Sequence, residues 1–154
     1  ASDVYKRQAM IRYFIAFLLF YATVCFAKPS SELLDALAVV ESNNIETKYN
    51  HKERACGKWQ LRPIYVKDVN RIFKTDFKIL DAFNPVKARI IVTLYLTYWG
   101  KQYEKKTGNK VNDEIYSKIH NGGPNGWNKE ATKKYWKKVK EVLDGKKRNN
   151  NKHL

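Results

Sequence analysis

Glu41 has the residue type and the spacing to do acid chemistry. Leu34, Leu37/Ala38 and Glu41 stand at i, i+3/i+4 and i+7, so a helix through them carries the carboxyl on the stripe it buries. A buried carboxyl resists ionisation, and one that keeps its proton near neutral pH can pass it to a leaving oxygen. A helix-end glutamate turned to solvent is the plainer alternative. A second group is the run Cys56-Gly57-Lys58-Trp59-Gln60-Leu61-Arg62-Pro63. Gly57 permits a tight turn or a close backbone approach. Gln60 offers a donor and an acceptor, suited to a ligand amide or to the Glu41 carboxyl. Trp59 either fills the core or offers a flat platform, and Cys56 reads as a small buried apolar residue. A third group, His120-Asn121-Gly122-Gly123-Pro124, is a turn where a ligand can press against main chain and Asn121 can hold a carbonyl. The same run is also an ordinary helix stop. His120 has no second histidine clustered with it, so no metal site is expected, and no cofactor.

The elements that must position these groups follow from caps and periodicity. Ser30 or Ser31 caps a first helix running to about Asn43, with Leu33, Leu34, Leu37, Ala38 and Val40 on one face. Residues 44–62 suggest a loop with short strands. Pro63 opens a second helix to about Phe73. Asn84-Pro85 opens a third, apolar nearly all round and therefore expected to be buried, ending near Gly100. Residues 101–111 read as a basic loop turning at Thr107-Gly108-Asn109. A helix then starts at Asn112, Asp113 and Glu114 and stops at the Asn121 turn. Asn128 caps a last helix, with Tyr135, Trp136, Val139, Val142 and Leu143 inward and Lys133, Lys134, Lys137, Lys138 and Lys140 outward, closed by Asp144-Gly145. The fold class is mainly α, with about five helices and a small β or loop segment flanking a cleft.

Length and composition bound what such a chain can be. At 154 residues it holds one domain, and 44% apolar and 14% aromatic residues exclude disorder. Two cysteines exclude a disulfide-stapled scaffold. Residues 1–9 precede the only methionine, and Asp3 to Gln8 resemble a translated sequencing adapter, so they read as non-native. Residues 10–27 have a basic start, an apolar run and small residues before Lys28, the pattern of a signal peptide cut after Ala27. The apolar run from Tyr13 to Ala27 is shorter than the ~20 residues of a spanning helix. A lipid on Cys25 is disfavoured by the large Val24 before it. The domain is then 28–145, with 146–154 a frayed basic tail. Secretion or export to a periplasm is expected. A net charge of +15 calls for an anionic partner: a cell wall, a membrane surface or a nucleic acid.

The order of the motifs is more specific than any one of them. Glu41-Ser42, Gly57-x-x-Gln60 followed by Pro63, Asn84-Pro85 before Tyr95-Leu96, and Asn121-Gly122 together resemble the lysozyme-like lytic transglycosylase (SLT-type) domains. In that family the Glu-Ser pair carries the acid and the Gly-x-x-Gln turn lines the cleft. An Ala-Tyr-Asn segment closes it, replaced here by Ile119-His120-Asn121. A second set is closer in wording: Cys56-Gly57-x-Trp59-Gln60-Leu61, Tyr65, Asp68, Ile119 to Gly126, Ala131-Thr132 and Tyr135-Trp136 resemble the invertebrate-type lysozymes. Those proteins are rich in disulfides and use an aspartate shortly before the Cys-Gly turn. Here Asn50 falls at that place, with Glu46 and Glu53 as nearby carboxylates.

Both resemblances imply an exported muramidase, lysozyme or lytic transglycosylase, cutting the β-1,4 bond between N-acetylmuramic acid and N-acetylglucosamine in peptidoglycan. Glu41 is then the general acid/base. Ser42, Gly57, Gln60, Tyr95, His120, Asn121 and Gly122 are the implied substrate-binding set. A monomer is expected, without an obligate protein partner and without specific nucleic-acid recognition. The rival is a non-catalytic cationic binder of cell wall or nucleic acid, which needs the lysine face of 133–140 and not Glu41. The enzyme reading requires Glu41, Gln60 and Asn121, on three separated segments, to converge.

Overall fold

The structure, a computed structural model, describes residues 28–150; the expected leader, the adapter-like start and Cys25 lie outside them. The described residues form five helices, one hairpin and two 3-10 turns: α1 (Ser31–Ser42), β1 (Tyr49–Asn50), β2 (Ala55–Cys56), α2 (Pro63–Phe73), a 3-10 turn at Ile79–Phe83, α3 (Pro85–Thr107), α4 (Asp113–Gly122), a 3-10 turn at Gly126–Asn128, and α5 (Ala131–Asn150). Among the described residues no helix is long and apolar enough to cross a membrane.

Local chemistry sets most of the boundaries. The Ser30 hydroxyl accepts from the Leu33 N–H, and α1 ends at Asn43, whose left-handed backbone (φ 56°) turns its N–H back to the Ala38 and Val39 carbonyls. Pro63 starts α2 and Pro85 starts α3, where a missing N–H costs nothing; the Asn84 side chain accepts from Val86 and Lys87 N–H. The Asn112 side chain caps α4 through the Ile115 N–H. Leu33, Leu37, Trp59, Leu61, Ile91, Leu96, Ile119 and Val139 form the centre of one core, each 0–1% exposed. The Trp59 indole donates to the Leu34 carbonyl at 2.8 Å, so this ring is core and not a platform.

The long helix differs from the expectation in two ways. It runs through Gly100 to Thr107 and ends on Gly108 in the left-handed region (φ 74°). Gly100 is there for packing, because a Cβ would sit 2.6 Å from the Tyr116 ring. Residues 101–107 are therefore helix, not loop. Nor is the helix buried all round, since Val86 and Ile90 are exposed beside Pro85 and Leu94. The last helix starts at Ala131, after the 3-10 turn that holds Asn128, and passes Gly145 to reach Asn150. A single glycine costs about 1 kcal/mol in a helix and does not stop one whose following cations suit the C-terminal dipole. The basic segment after 145 is thus helical in its first part.

The hairpin is antiparallel, pairing Tyr49 with Cys56 and Asn50 with Ala55, and Cys56 bridges on to Leu61. Gly57 (φ 73°) makes the turn, and a Cβ there would lie 1.8 Å from the Ala82 carbonyl oxygen. That contact docks the hairpin on the 3-10 turn at Ile79–Phe83.

Candidate active site

Glu41, Gln60 and Asn121 come together. They line one cavity of about 280 Å³ between the last turn of α1, the turn after the hairpin and the end of α4. Tyr65 of α2, His120 of α4 and Tyr135 of α5 line it too, and the hairpin adds Asn50 and Glu53.

The carboxyl is held from both sides. The Tyr135 hydroxyl donates to Glu41 Oε1 at 2.8 Å, and His120 Nε2 lies 3.5 Å from the same oxygen. The Glu41 side chain is 19% exposed. Burial pushes its pKa up to about 7; the Tyr135 hydrogen bond and the Arg62 charge work against that rise, and the Glu53 charge adds to it. At neutral pH a substantial fraction of this carboxyl therefore carries a proton. Burial moves His120 the other way, down to about 4, with a backbone hydrogen bond to Trp59 resisting and the Arg62 charge assisting. The His120–Glu41 contact at neutral pH is thus between a neutral imidazole and a carboxyl, not an ion pair.

A second layer fixes the first. The Tyr65 hydroxyl is 3.3 Å from His120 Nδ1, and the Tyr65 ring stacks on Tyr95 with centroids 3.7 Å apart. Burial holds the Tyr65 and Tyr135 phenols well above their usual range, so both stay protonated. Across the cavity Glu53 pairs with Arg62 Nε at 3.4 Å, with both side chains about half exposed. Asn50 uses its Oδ1 to accept from the Lys52 and Glu53 N–H groups at 3.1 and 3.2 Å. It shapes the hairpin turn that presents Glu53.

Several sequence-derived site residues sit elsewhere. Ser42 is buried and lines no cavity at the carboxyl; its hydroxyl donates to the Lys58 carbonyl at 2.8 Å, with the Ala38 carbonyl at 3.3 Å, and accepts from the Ile45 N–H. It ties α1 to the Gly57 turn. Gly57 packs on Ala82, away from the cavity. Gln60 faces the cavity but does not orient Glu41, because its amide nitrogen donates to the Gly57 and Lys48 carbonyls. Tyr95 and Gly122 line an adjoining cavity of about 310 Å³, shared with Arg62, Tyr65, His120 and Asn121. Glu46 is exposed on the loop before the hairpin and lines neither cavity. Reading the sequence assigned Tyr135 to the apolar face of the last helix and missed its polar tip. The signal was present, since tyrosine on an inward stripe needs a partner for its hydroxyl. Arg62 gave no signal beyond its place in the Cys-Gly run. Among the described residues no group of three or more His, Cys, Asp or Glu side chains could hold a metal.

Helices packed around a cleft carboxyl, with a small hairpin as one wall, define a lysozyme-like architecture. The Destabilase family matches residues 30–142, and the chain belongs to it. It is 34% identical over 119 residues to a lysozyme of Magallana gigas, covering 76% of this chain and 82% of that one. It is 34% identical over 86 residues to a lysozyme of Ostrea edulis, covering 56% and 58%. Among solved structures, a chain of Aeromonas hydrophila PliI in complex with Meretrix lusoria lysozyme matches with a TM-score of 0.60 and 26% identity over 73% of this chain and 89% of that one. The Tapes japonica lysozyme shares the fold at a TM-score of 0.58 and 23% identity, over 71% and 87%. The likeness to invertebrate-type lysozymes is borne out, as is the mainly helical lysozyme-like fold.

Proposed function

We propose that residues 28–145, with the helix Ala131–Asn150 that runs on past them, form a secreted glycosidase that cleaves the MurNAc-β-1,4-GlcNAc bond of peptidoglycan, with Glu41 as proton donor. Family membership and relatives named lysozyme support the enzyme class. The observation that carries the role of Glu41 is its burial in the cavity beneath a Tyr135 donor, with a pKa raised to about 7.

Glu41 protonates the glycosidic oxygen as the bond to the anomeric carbon breaks, and positive charge develops on the sugar ring. Glu41 becomes a carboxylate in that step. The Tyr135 hydrogen bond and the Arg62 charge both favour the carboxylate, so they stabilise the transition state more than the ground state. Glu53, on the hairpin wall, supplies negative charge facing the developing cation. Glu41 then takes a proton from the water that attacks the anomeric carbon, which restores the acid. The basic surface concentrates the protein on a wall rich in carboxylates and phosphates without adding specificity.

Mass spectrometry of muropeptides released by residues 28–154, with Glu41→Gln as control, tests the reading. Glu41-dependent products with reducing ends are expected. Anhydro ends would put the second reactant on the muramyl hydroxyl instead of water. No Glu41-dependent product from a folded protein would overturn the enzyme and direct attention to the lysine face of α5.

A further inference from the structure

A further cavity, of about 340 Å³, lies between the C-terminal half of α3 and the segment Pro124 to Trp127. Tyr98, Trp99, Tyr103 and Trp127 line it, all half-buried, with Lys105 and Lys106 at its edge. Trp127 meets the edge of Tyr103 at 5.4 Å between centroids, and Lys106 Nζ stands 5.4 Å from the Trp127 ring centre. The buried Trp99 indole N–H has no acceptor among the described residues. Four aromatic rings with two cations present flat apolar faces beside fixed positive charge, which suits a pyranose ring bearing a carboxylate substituent.

One chain segment links the lining of this cavity to that of the candidate active site. The Glu41 cavity shares Arg62, Tyr65, His120 and Asn121 with the adjoining one, and Pro124 is common to that cavity and the aromatic one. The segment 120–127 therefore runs from the lining of the Glu41 cavity to that of the aromatic one. It is rigidly placed: a Cβ on Gly126 would lie 2.0 Å from the Lys118 carbonyl oxygen, and the Thr132 hydroxyl donates to the Gly126 carbonyl at 2.8 Å. Preorganised rings lose little entropy when a ligand stacks on them.

We infer that the Tyr98–Trp99–Tyr103–Trp127 cavity is a distal subsite for the glycan strand, engaging an acidic amino sugar remote from the bond cut at Glu41. The inference rests on the proposed glycan substrate, but its test does not need cleavage. The Glu41→Gln protein is titrated with a peptidoglycan disaccharide and with long uncrosslinked glycan strands, followed by tryptophan fluorescence and calorimetry. Long strands are expected to bind about tenfold more tightly than the disaccharide, and Trp127→Ala on the same background brings that ratio to about one. Lys106→Gln, at an exposed position, is a second variant that keeps the fold; it lowers the ratio and flattens its salt dependence. A ratio unchanged in both variants would overturn the subsite, and so would strands that bind only through salt-sensitive contact indifferent to Trp127. Failure of Glu41-dependent cleavage with the ratio intact would remove the catalytic reading and leave the subsite standing.

Discussion

The Tyr135 hydroxyl donates to Glu41 Oε1 at 2.8 Å across 94 residues of sequence. This bond joins the first helix to the last, and it opposes the burial that keeps Glu41 protonated. The site thus holds two competing influences on one proton, and each can be removed separately.

Removing the proton itself is the first case. Glu41→Gln should lower the rate on peptidoglycan by about 10²–10⁴-fold, the usual contribution of a positioned acid. It should also stabilise the fold at pH 8. The folded pKa of about 7 exceeds the ordinary value of 4.5, so the ionised group is less favourable in the folded state than in the unfolded one. The gain approaches ~3 kcal/mol, because a tenfold change in proton affinity corresponds to about 1.4 kcal/mol. Urea denaturation of both proteins at pH 8 measures it.

Tyr135→Phe removes a donor that favours the carboxylate. The pKa of Glu41 then rises further, and the alkaline limb of kcat/KM moves to higher pH. At the optimum the rate falls by about tenfold, because the emerging carboxylate loses a charge-assisted hydrogen bond. A pH–rate profile read from about pH 4 to 9 separates the two effects.

Glu53→Gln acts from the opposite wall. Its charge contributes to raising Glu41, so its loss moves the alkaline limb to lower pH. It also leaves Arg62 without its partner at 3.4 Å. The rate is expected to drop, whereas Glu46→Gln, outside both cavities, behaves as wild type. Equal behaviour of the two glutamine variants would remove Glu53 from the chemistry.

The pH dependence of stability follows from Glu41 and His120 together. Between pH 4.5 and 7 the folded state binds more protons at Glu41, so this group makes stability fall as pH rises. Between pH 4 and 6.5 the unfolded state binds more protons at His120, so this group makes stability rise with pH. The two slopes oppose each other where the windows overlap. Wild type should be nearly flat from pH 4.5 to 6.5 and decline toward 7, whereas Glu41→Gln should gain stability steadily across the overlap. Thermal unfolding at half-unit pH steps checks the sign.

Gly57→Ala tests the docking of the hairpin. The new methyl would meet the Ala82 carbonyl oxygen at 1.8 Å on a backbone at φ 73°. The expected loss is about 2–4 kcal/mol, and the hairpin wall with Glu53 should loosen with it. Hydrogen exchange at Cys56 and Leu61, whose N–H groups bond each other's carbonyls, reports on that wall.

Caps and prolines made the helix starts at Ser31, Pro63, Pro85 and Asp113 legible in the sequence, because these signals act within one turn. Gly100 and Gly145 misled for one reason: a glycine marks a helix end only when the backbone turns left-handed there, and Gly108 does so instead. The convergence of Glu41, Gln60 and Asn121 was legible as an order of motifs. The roles within the convergence were not. Ser42 and Gly57 resemble ligand contacts in sequence, yet both tie main-chain segments together. Tyr135 was hidden because one side chain serves both core and site, and periodicity reports only the first.

The Glu41–Tyr135 pairing also has a consequence for synthesis. Glu41 is synthesised 94 residues ahead of the tyrosine that covers it. Until Ala131–Asn150 docks, the carboxyl lacks both the cover and the hydroxyl donor that this helix brings to it. A nascent chain that has not yet formed this helix therefore has the Glu41 cavity open on one side, with Tyr135 and Lys138 both missing from its lining.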